Sequence, residues 1–216
     1  MNAQKLFGPV LVVAVGLAAA VGSLAIAATS GDPQPAGQSE MQLPAGWTAE
    51  DMQSVLVAGT PGKMHEHLAQ GVGVWKGKTT MWMTPDTEPL TGTCMSTVKS
   101  IMDGRFTKCE LAGECPAMGP YNGVGISGFD NVAQRFVSTW VDNHGTGIMV
   151  GEGELSSDGK VLTWEFKTNC PITKKPAVMR EIEMITGPTT KSLEMFGTDP
   201  KTGKEFKMMH IEFTKQ

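Results

Sequence analysis

Between about residues 74 and 214, apolar and polar residues alternate in short segments, and turn signals stand between nearly all of the segments. In one of them Leu162, Trp164 and Phe166 share a side, with polar residues between them. Alternation of this kind is typical of strands that are buried on one face, because successive side chains point to opposite faces. The pattern predicts about ten strands, over residues 75–83, 90–102, 105–111, 121–129, 135–142, 147–155, 160–168, 177–186, 191–196 and 205–214.

The connections between these strands are short, and none has room for a helix, which indicates antiparallel neighbours in an all-β sandwich or barrel. Glycines inside several predicted strands suit the bends at barrel corners. Two helical signals precede the strands. Thr48 and Asp51 resemble a capping box that begins a helix ending near Ala58, and Pro61 begins a second helix that ends near Gly71. The sequence therefore predicts an all-β domain with a short N-terminal helical segment.

The N-terminal segment, residues 1–28, has the features of an export signal. Lys5 precedes an apolar stretch that ends with small residues at 25–27, a pattern suited to signal peptidase. The stretch is also about as long as a membrane span, so the segment is either a cleaved signal peptide or an N-terminal anchor. Residues 29–43 are rich in Gly, Pro, Ser and Gln and predict a flexible linker, followed by one domain over 44–216. We expect a periplasmic or secreted protein, with a membrane partner only if the segment stays uncleaved.

Composition narrows the classes of partner. The chain carries 18 Lys and Arg against 22 Asp and Glu, a formal net charge of −4, and no basic patch, which argues against nucleic acid. The 15 methionines fit either a filled core or an adaptable apolar cavity. The four cysteines of an exported protein predict at least one disulfide, involving Cys115 or Cys170, with all three pairings of the four left open.

Alternation also predicts which side chains face the interior. Trp140 and Asp142 share a side of their strand with Phe136, and Arg180 shares a side with apolar residues, whereas Glu181 and Glu183 lie on the other side. We therefore expect Arg180 to point inward, either as a buried partner of an acid or as an anchor for a carboxylate ligand. The residues predicted to bind a ligand are Trp140, Asp142, Trp164 and Arg180.

A series of short motifs occurs in a fixed order along the chain: PGKMH at 61–65, GVWKG at 73–77, GRF at 104–106, GFDN at 128–131, FVSTWVD at 136–142, DGK at 158–160 and MHIEFT at 209–214. The series resembles the DUF1579 family of bacterial proteins of unknown function. The resemblance covers roughly residues 61–215 and implies a calycin-like, lipocalin-like antiparallel β-barrel with no established activity. Phe129 stands where the family most often has Tyr, and the segments around Cys115 and Cys170 look like local additions.

Other motifs are given structural interpretations or rejected. Trp75 is expected to plug the barrel end beside the helical segment, and the match at His65 implies a fixed structural hydrogen bond. His65 and His67 lie two apart, a spacing unsuited to a metal chelate on a helix, so no metal site is predicted. His210 is expected to face solvent, which disfavours a haem ligand there, and no cofactor is predicted. No catalytic motif such as GxSxG is present.

These observations predict non-catalytic binding of a small, partly apolar or anionic molecule in the barrel cavity. Two alternatives stay open: an enzyme of unknown reaction that uses the same interior, and a structural or interaction module with a filled core and no ligand. The sequence does not determine the oligomeric state.

Overall fold

A computed structural model of the protein describes residues 43–116 and 118–216. The predicted signal segment and nearly all of the predicted linker lie outside the described residues. The described chain forms two helices, α1 (Ala49–Ala58) and α2 (Lys63–Ala69), and then ten strands: β1 (Gly73–Met81), β2 (Leu90–Ile101), β3 (Phe106–Cys115), β4 (Gly119–Asp130), β5 (Arg135–Asp142), β6 (Met149–Leu155), β7 (Val161–Asn169), β8 (Pro176–Gly187), β9 (Thr190–Thr198) and β10 (Glu205–Lys215). Across residues 43–116 and 118–216, no helix has the length and apolar character needed to cross a membrane.

The ten strands form one closed antiparallel barrel, in which each strand pairs with its neighbours in the chain and β1 pairs with β10. The closing pair places Trp75 opposite Lys215 and Met81 opposite Met209. Closure leaves no strand edge with unpaired backbone groups. The predicted antiparallel barrel of about ten strands is confirmed. The connection predicted between the strands at 105–111 and 121–129 is too long, because β3 continues to Cys115 and β4 begins at Gly119.

The helical segment is attached to one end of the barrel, which we call the α2 end. Asn131 Nδ2 donates hydrogen bonds to Ala58 O and Thr60 O, at 3.0 and 2.8 Å. Arg105 Nε donates to Gly59 O at 2.9 Å. Leu68 of α2 packs against the buried rings of β5 and β7. Residues of the GRF and GFDN motifs therefore hold the helices over the barrel end.

Two further motif residues, His65 and Trp75, stabilise the α2 end of the barrel. His65 is buried, and its Nδ1 accepts a hydrogen bond from Gly62 N at 3.0 Å, so its partner is the start of α2 itself. Trp75 is buried in β1, and its Nε1 donates to Gly71 O at 2.8 Å, just after α2. Both side chains fasten the junction between α2 and β1.

The apolar interior is divided into two clusters on different walls of the barrel. The first, wall A, combines β1, β2 and β10, and its buried members are Trp75, Cys94, Val98, Ile211 and Phe213. The second, wall B, combines β5 and β7, and its buried members are Phe136, Leu162, Trp164 and Phe166. The rings of wall B contact one another, with the Phe136 and Trp164 centroids 6.2 Å apart. The buried residues of the two walls form two separate clusters.

Glycines inside the strands make room for rings that lie flat on the barrel wall. A Cβ at Gly153 would lie 2.6 Å from Cε3 of Trp164, and one at Gly151 would lie 2.6 Å from Cδ1 of Phe166. Neither position has a positive φ, so each glycine is required by space rather than by backbone conformation. The glycines of β6 thus seat the aromatic rings of β7, in addition to any role in bending the barrel.

The disulfide predicted from the cysteine count is not formed. Cys94, Cys109, Cys115 and Cys170 are all free thiols, with Cys94 and Cys115 buried. Cys94 and Cys109 lie on neighbouring strands but face hydroxyl groups: Cys94 Sγ accepts a hydrogen bond from Thr79 Oγ1 at 3.7 Å, and Cys109 Sγ lies 3.3 Å from Ser96 Oγ. The barrel is therefore held by its strand pairing and its two apolar walls.

Candidate functional site

The register of β8 places two carboxylates inside the barrel. Glu181 is directly opposite Trp164 and Glu183 is directly opposite Leu162 on β7. Directly paired residues project to the same face of a sheet. Trp164 is only 2% exposed within wall B, so Glu181 and Glu183 face the interior. The prediction that Arg180 faces inward is therefore wrong, and the two acids that were expected outside are the interior residues.

Glu181 points into the barrel, where it is half-buried, and its register partners are Trp164 on β7 and Met195 on β9. We call the barrel interior between walls A and B the lumen. Among the described residues, no hydrogen bond to the Glu181 carboxyl group is found. Glu181 therefore presents an unpaired carboxyl group to the lumen.

Glu183 is held by two neighbours. Trp164 Nε1 donates a hydrogen bond to Glu183 Oε1 at 2.9 Å. Lys191 Nζ lies 4.0 Å from Glu183 Oε2. The same ammonium group lies 5.0 Å from the Trp75 ring centroid and 5.3 Å from that of Phe213, so it is shared between one carboxylate and two ring faces. Lys191 therefore connects wall A to the acids of β8.

The pKa of Glu181 is raised to about 8, first because burial disfavours its charged form and second because Glu183 is close. The positive charge of Lys191 offsets part of this rise. At neutral pH, Glu181 is consequently a protonated carboxyl group that can donate a hydrogen bond. Burial also lowers the pKa of His67, which α2 carries near Glu183, so that imidazole is mostly neutral at pH 7.

The pKa values of two groups on other strands depend partly on the charge of Glu181. Burial raises the pKa of the Cys109 thiol on β3, the contact with Ser96 and the charge of Lys191 lower it, and Glu183 and Glu181 raise it by smaller amounts. Burial raises the pKa of the Tyr121 hydroxyl on β4, with Asp142 and Glu181 acting in the same direction. Cys109 is directly opposite the buried Val98, and Tyr121 is in register with Gly113, which is opposite the buried Cys94, so both side chains face the interior as Glu181 does.

A second polar group lies toward the end of the barrel opposite α2. Trp140 Nε1 donates to the Tyr121 hydroxyl at 2.8 Å, and that hydroxyl donates to Asp142 Oδ2 at 3.3 Å. The imidazole of His144 packs edge-on against Tyr121, with centroids 5.3 Å apart. The chain of hydrogen bonds orients the Trp140 indole, whose ring lies across Gly125 on the barrel wall.

The residues that the sequence predicted as ligand-binding fall into three separate places. Trp140 and Asp142 belong to the far-end group, and Trp164 belongs to the interior beside Glu183. Arg180 lies on the outer surface and pairs with Glu205, so it is neither the buried partner of an interior acid nor the interior anchor that the sequence predicted. The sequence missed Glu181, Glu183, Lys191 and Tyr121.

Arg180 has a complete set of partners outside the barrel. Its Nη2 and Nε donate to the two carboxylate oxygens of Glu205 at 2.8 and 3.2 Å. Its guanidinium carbon lies 4.1 Å above the Phe196 ring centroid. Arg180 also lines a groove of about 350 Å³ on the outer face, together with Arg135, Glu152 and Glu165. Glu205 and Phe196 therefore supply the guanidinium group with hydrogen-bond acceptors and a stacking partner, and no interior ligand is needed.

The described residues contain no cluster of three or more His, Cys, Asp or Glu side chains arranged to hold a metal ion. His210 lies on the outer face of β10, next in sequence to the buried Ile211, and its Nδ1 is 3.6 Å from Glu194 Oε1. His65 and His67 contact the phenyl rings of Phe129 and Phe136.

The fold and interior together define a lipocalin-like antiparallel barrel with a polar patch inside an apolar lumen. Residues 60–215 match the family model described as "Protein of unknown function (DUF1579)". The match spans more than half of the chain, and the protein belongs to this family. A comparison with curated proteins finds no match.

Two solved structures share the fold. The chain is 16% identical to Rv2717c from M. tuberculosis, with a TM-score of 0.53, over 73% of this chain and 99% of the other. It is 11% identical to the S-type phycobiliprotein lyase CPES from Guillardia theta, with a TM-score of 0.52, over 74% of this chain and 96% of the other. At these identities the similarity shows the fold alone.

Proposed function

We propose that this protein binds a small, partly apolar molecule in the lumen of its barrel. The observation that carries the proposal is the carboxyl group of Glu181, which points into the lumen between two separate apolar walls and has no hydrogen-bond partner among the described residues. Small-molecule sites are mostly apolar cavities with a few placed polar groups, and the lumen has this composition. A barrel of this size leaves room for one small ligand. The phycobiliprotein lyase adds only that its barrel has the same fold.

An enzyme that uses the same lumen is the second candidate. The raised pKa of Glu181 favours it, because a carboxyl group that stays protonated near neutral pH can act as a general acid. The two candidates differ in the fate of the bound molecule. A binding protein releases it unchanged, and mass spectrometry of the ligand after incubation separates the two.

The test of binding uses Nile red, a neutral apolar dye whose fluorescence increases on leaving water. Met195 faces the lumen opposite Glu181, whereas Ser192 lies on the outer face of the same strand. We expect saturable binding by the wild-type protein, a loss of at least about tenfold in affinity in Met195→Trp, and no change in Ser192→Trp. Thermal melts check that both variants fold.

Native mass spectrometry of protein purified from its own host complements the dye titration. A retained mass of a few hundred daltons that Met195→Trp lacks would identify the lumen as its location. Absence of both saturable dye binding and a retained mass would contradict the proposal and leave the barrel as a structural or interaction module.

We also propose that the protein is exported, on the pattern of residues 1–28. Cell fractionation followed by mass spectrometry of the mature N-terminus tests both export and cleavage. A chain that retains Met1 and stays with the cytoplasmic fraction would contradict export, and one that retains Met1 and fractionates with the membrane would indicate an anchor.

A further inference from the structure

We propose that the lumen selects a basic ligand: a small, partly apolar amine whose ammonium group is bound by the carboxyl groups of Glu181 and Glu183. The proposal rests on the lumen being a ligand site, as proposed above, and adds the chemical class of the ligand. It replaces the anionic ligand that an inward Arg180 would have implied.

The geometry of β8 brings both carboxyl groups to one spot. Glu181 and Glu183 are two residues apart on the same face, so their side chains are neighbours on the lumen wall. Trp164 fixes one oxygen of Glu183, while the carboxyl group of Glu181 has no partner among the described residues. The half-buried carboxyl group of Glu181 can therefore bond a donor that enters the lumen.

The ionised acid and base at this spot, Glu183 and Lys191, balance at pH 7, and ionisation of Glu181 would leave one carboxylate without a base of its own. Lys191 on β9 is the base beside the acids, and it is shared with the rings of wall A. His67 from α2 is mostly neutral at pH 7 because burial lowers its pKa. The remaining titratable groups coupled to the acids across the lumen are the neutral Cys109 thiol and Tyr121 hydroxyl. Lys215 faces Trp75, with its Nζ 5.2 Å from the ring centroid.

An added cation would complete this arrangement, and an added anion would oppose it. One ammonium group serves two carboxyl groups, so a second ammonium would neutralise the pair when Glu181 ionises. A carboxylate ligand would instead stand against Glu183 in a medium where like charges repel strongly. The apolar remainder of the ligand would lie against walls A and B, whose rings also attract cations.

Ligand charge is tested with three probes that share one naphthalene skeleton: 1-naphthylmethylamine, 1-naphthalenemethanol and 1-naphthoate. Calorimetric titration at pH 7.5 should show the amine binding at least about tenfold more tightly than the alcohol, and the naphthoate more weakly than both. Equal affinities of the amine and the alcohol would overturn the proposed class while leaving the lumen as a ligand site. Failure of all three probes to bind would count against both proposals.

The residue assignment is tested with Glu181→Gln, which keeps the shape of the side chain and removes its charge. We expect this variant to lose at least about tenfold in affinity for the amine and to keep its affinity for the alcohol. Glu165→Gln is the matched control, because Glu165 lies on the outer face opposite Arg180. A preference for the amine that survives Glu181→Gln would overturn the assignment.

Proton release gives a readout that a purely structural role of Glu181 would not produce. Binding of an ammonium group favours the ionised carboxylate, so a proton should leave Glu181 when the amine binds at pH 7, and affinity should increase from pH 6 toward pH 8. Titrations in phosphate and Tris, which differ in ionisation enthalpy, count the protons. We expect release of up to about one proton in the wild type and none in Glu181→Gln. An equal count in the two proteins would contradict the proposal.

Discussion

The carboxyl group of Glu181 occupies a position where ionisation is unfavourable. It faces the barrel interior, Glu183 lies beside it, and Lys191, the base that acts on it among the described residues, is shared with other groups. A group in such surroundings keeps its proton to higher pH than it would in water. Perturbed carboxyl groups of this kind cluster at functional sites, and the same property has a measurable effect on stability.

Stability should decrease as pH rises through the range in which Glu181 holds its proton only in the folded state. Its pKa is near the ordinary value of 4.5 when unfolded and about 8 when folded, so the folded state binds more protons between about pH 5 and 8. Each unit of pKa shift corresponds to about 1.4 kcal/mol, so the free energy of unfolding should fall by a few kcal/mol. Urea unfolding at pH 5, 7 and 9 measures this change.

Glu181→Gln is the comparison for this pH series. The amide does not titrate, so its stability should vary less between pH 5 and 8, and at pH 9 it should exceed that of the wild type. Glu165→Gln should follow the wild-type curve. Parallel curves for the wild type and Glu181→Gln would show that Glu181 titrates in the folded protein as it does in water.

Arg180→Met should have little effect on the lumen. The substitution removes a two-point contact with Glu205 and a stacking contact with Phe196, all on the outer surface. Exposed ion pairs contribute little, so we expect a loss of up to about 1 kcal/mol in unfolding free energy and unchanged affinity for Nile red. Urea unfolding and the dye titration measure the two quantities. A tenfold loss of dye affinity would place Arg180 in the ligand site.

At the scale of elements, neighbouring strands fit together through pairs of glycine and aromatic residues. Gly153 on β6 lies under Trp164 on β7, and Gly151 lies under Phe166. With no Cβ beneath them, the rings lie against the barrel wall. The glycines therefore determine how much of the barrel interior the aromatic rings fill.

Gly153→Ala should destabilise the barrel, because the added Cβ would lie 2.6 Å from the Trp164 ring. Overpacking of a well-packed region typically costs about 1–3 kcal/mol, and we expect a loss in that range. Gly147→Ala is the matched control, since a Cβ there meets nothing within 4 Å and the position has no positive φ. Urea unfolding compares the two variants. A loss equal to that of the control would mean that Trp164 moves aside at no cost.

At the scale of the whole molecule, the barrel is a closed ladder to which the helices are attached. Each of the ten strands pairs with two others, and the pairing of β1 with β10 completes the circle. No residue of α1 is buried, in contrast to β10, which supplies Ile211 and Phe213 to wall A. The two terminal elements of the described chain should therefore differ sharply in their importance for folding.

Removal of β10 should prevent folding, whereas removal of most of α1 should not. A chain that ends at Asp199 loses part of wall A and exposes the edges of β1 and β9, which favours aggregation. A chain that begins at Ala58 keeps the carbonyls that Asn131 holds, and its melting temperature should stay within a few degrees of that of residues 43–216. Circular dichroism melts test both, and a folded chain without β10 would contradict the role of closure.

The sequence by itself determined the number, order and antiparallel pairing of the strands. Three local signals carried this prediction: the alternation in segments such as 160–168, the turn residues between segments, and the ordered motifs. Each depends on residues that are close together in the sequence. The helix beginning at Thr48 is also local, because Thr48 and Asp51 bond each other across a single turn. These features could be predicted correctly because they do not depend on residues that are distant in the sequence.

Only the tertiary structure decided which face of β8 is inside. Both faces of that strand carry apolar and charged residues. The sequence favoured the face of Arg180 as the inner one because the other face carries two acids, and charged residues are mostly exposed. The register against Trp164 and the position of Lys191 on β9 instead place Glu181 and Glu183 in the lumen. A charged side chain is tolerated inside a barrel when partners accompany it. Here the partners, Trp164 and Lys191, lie on β7 and β9, so the sequence of β8 alone could not reveal them.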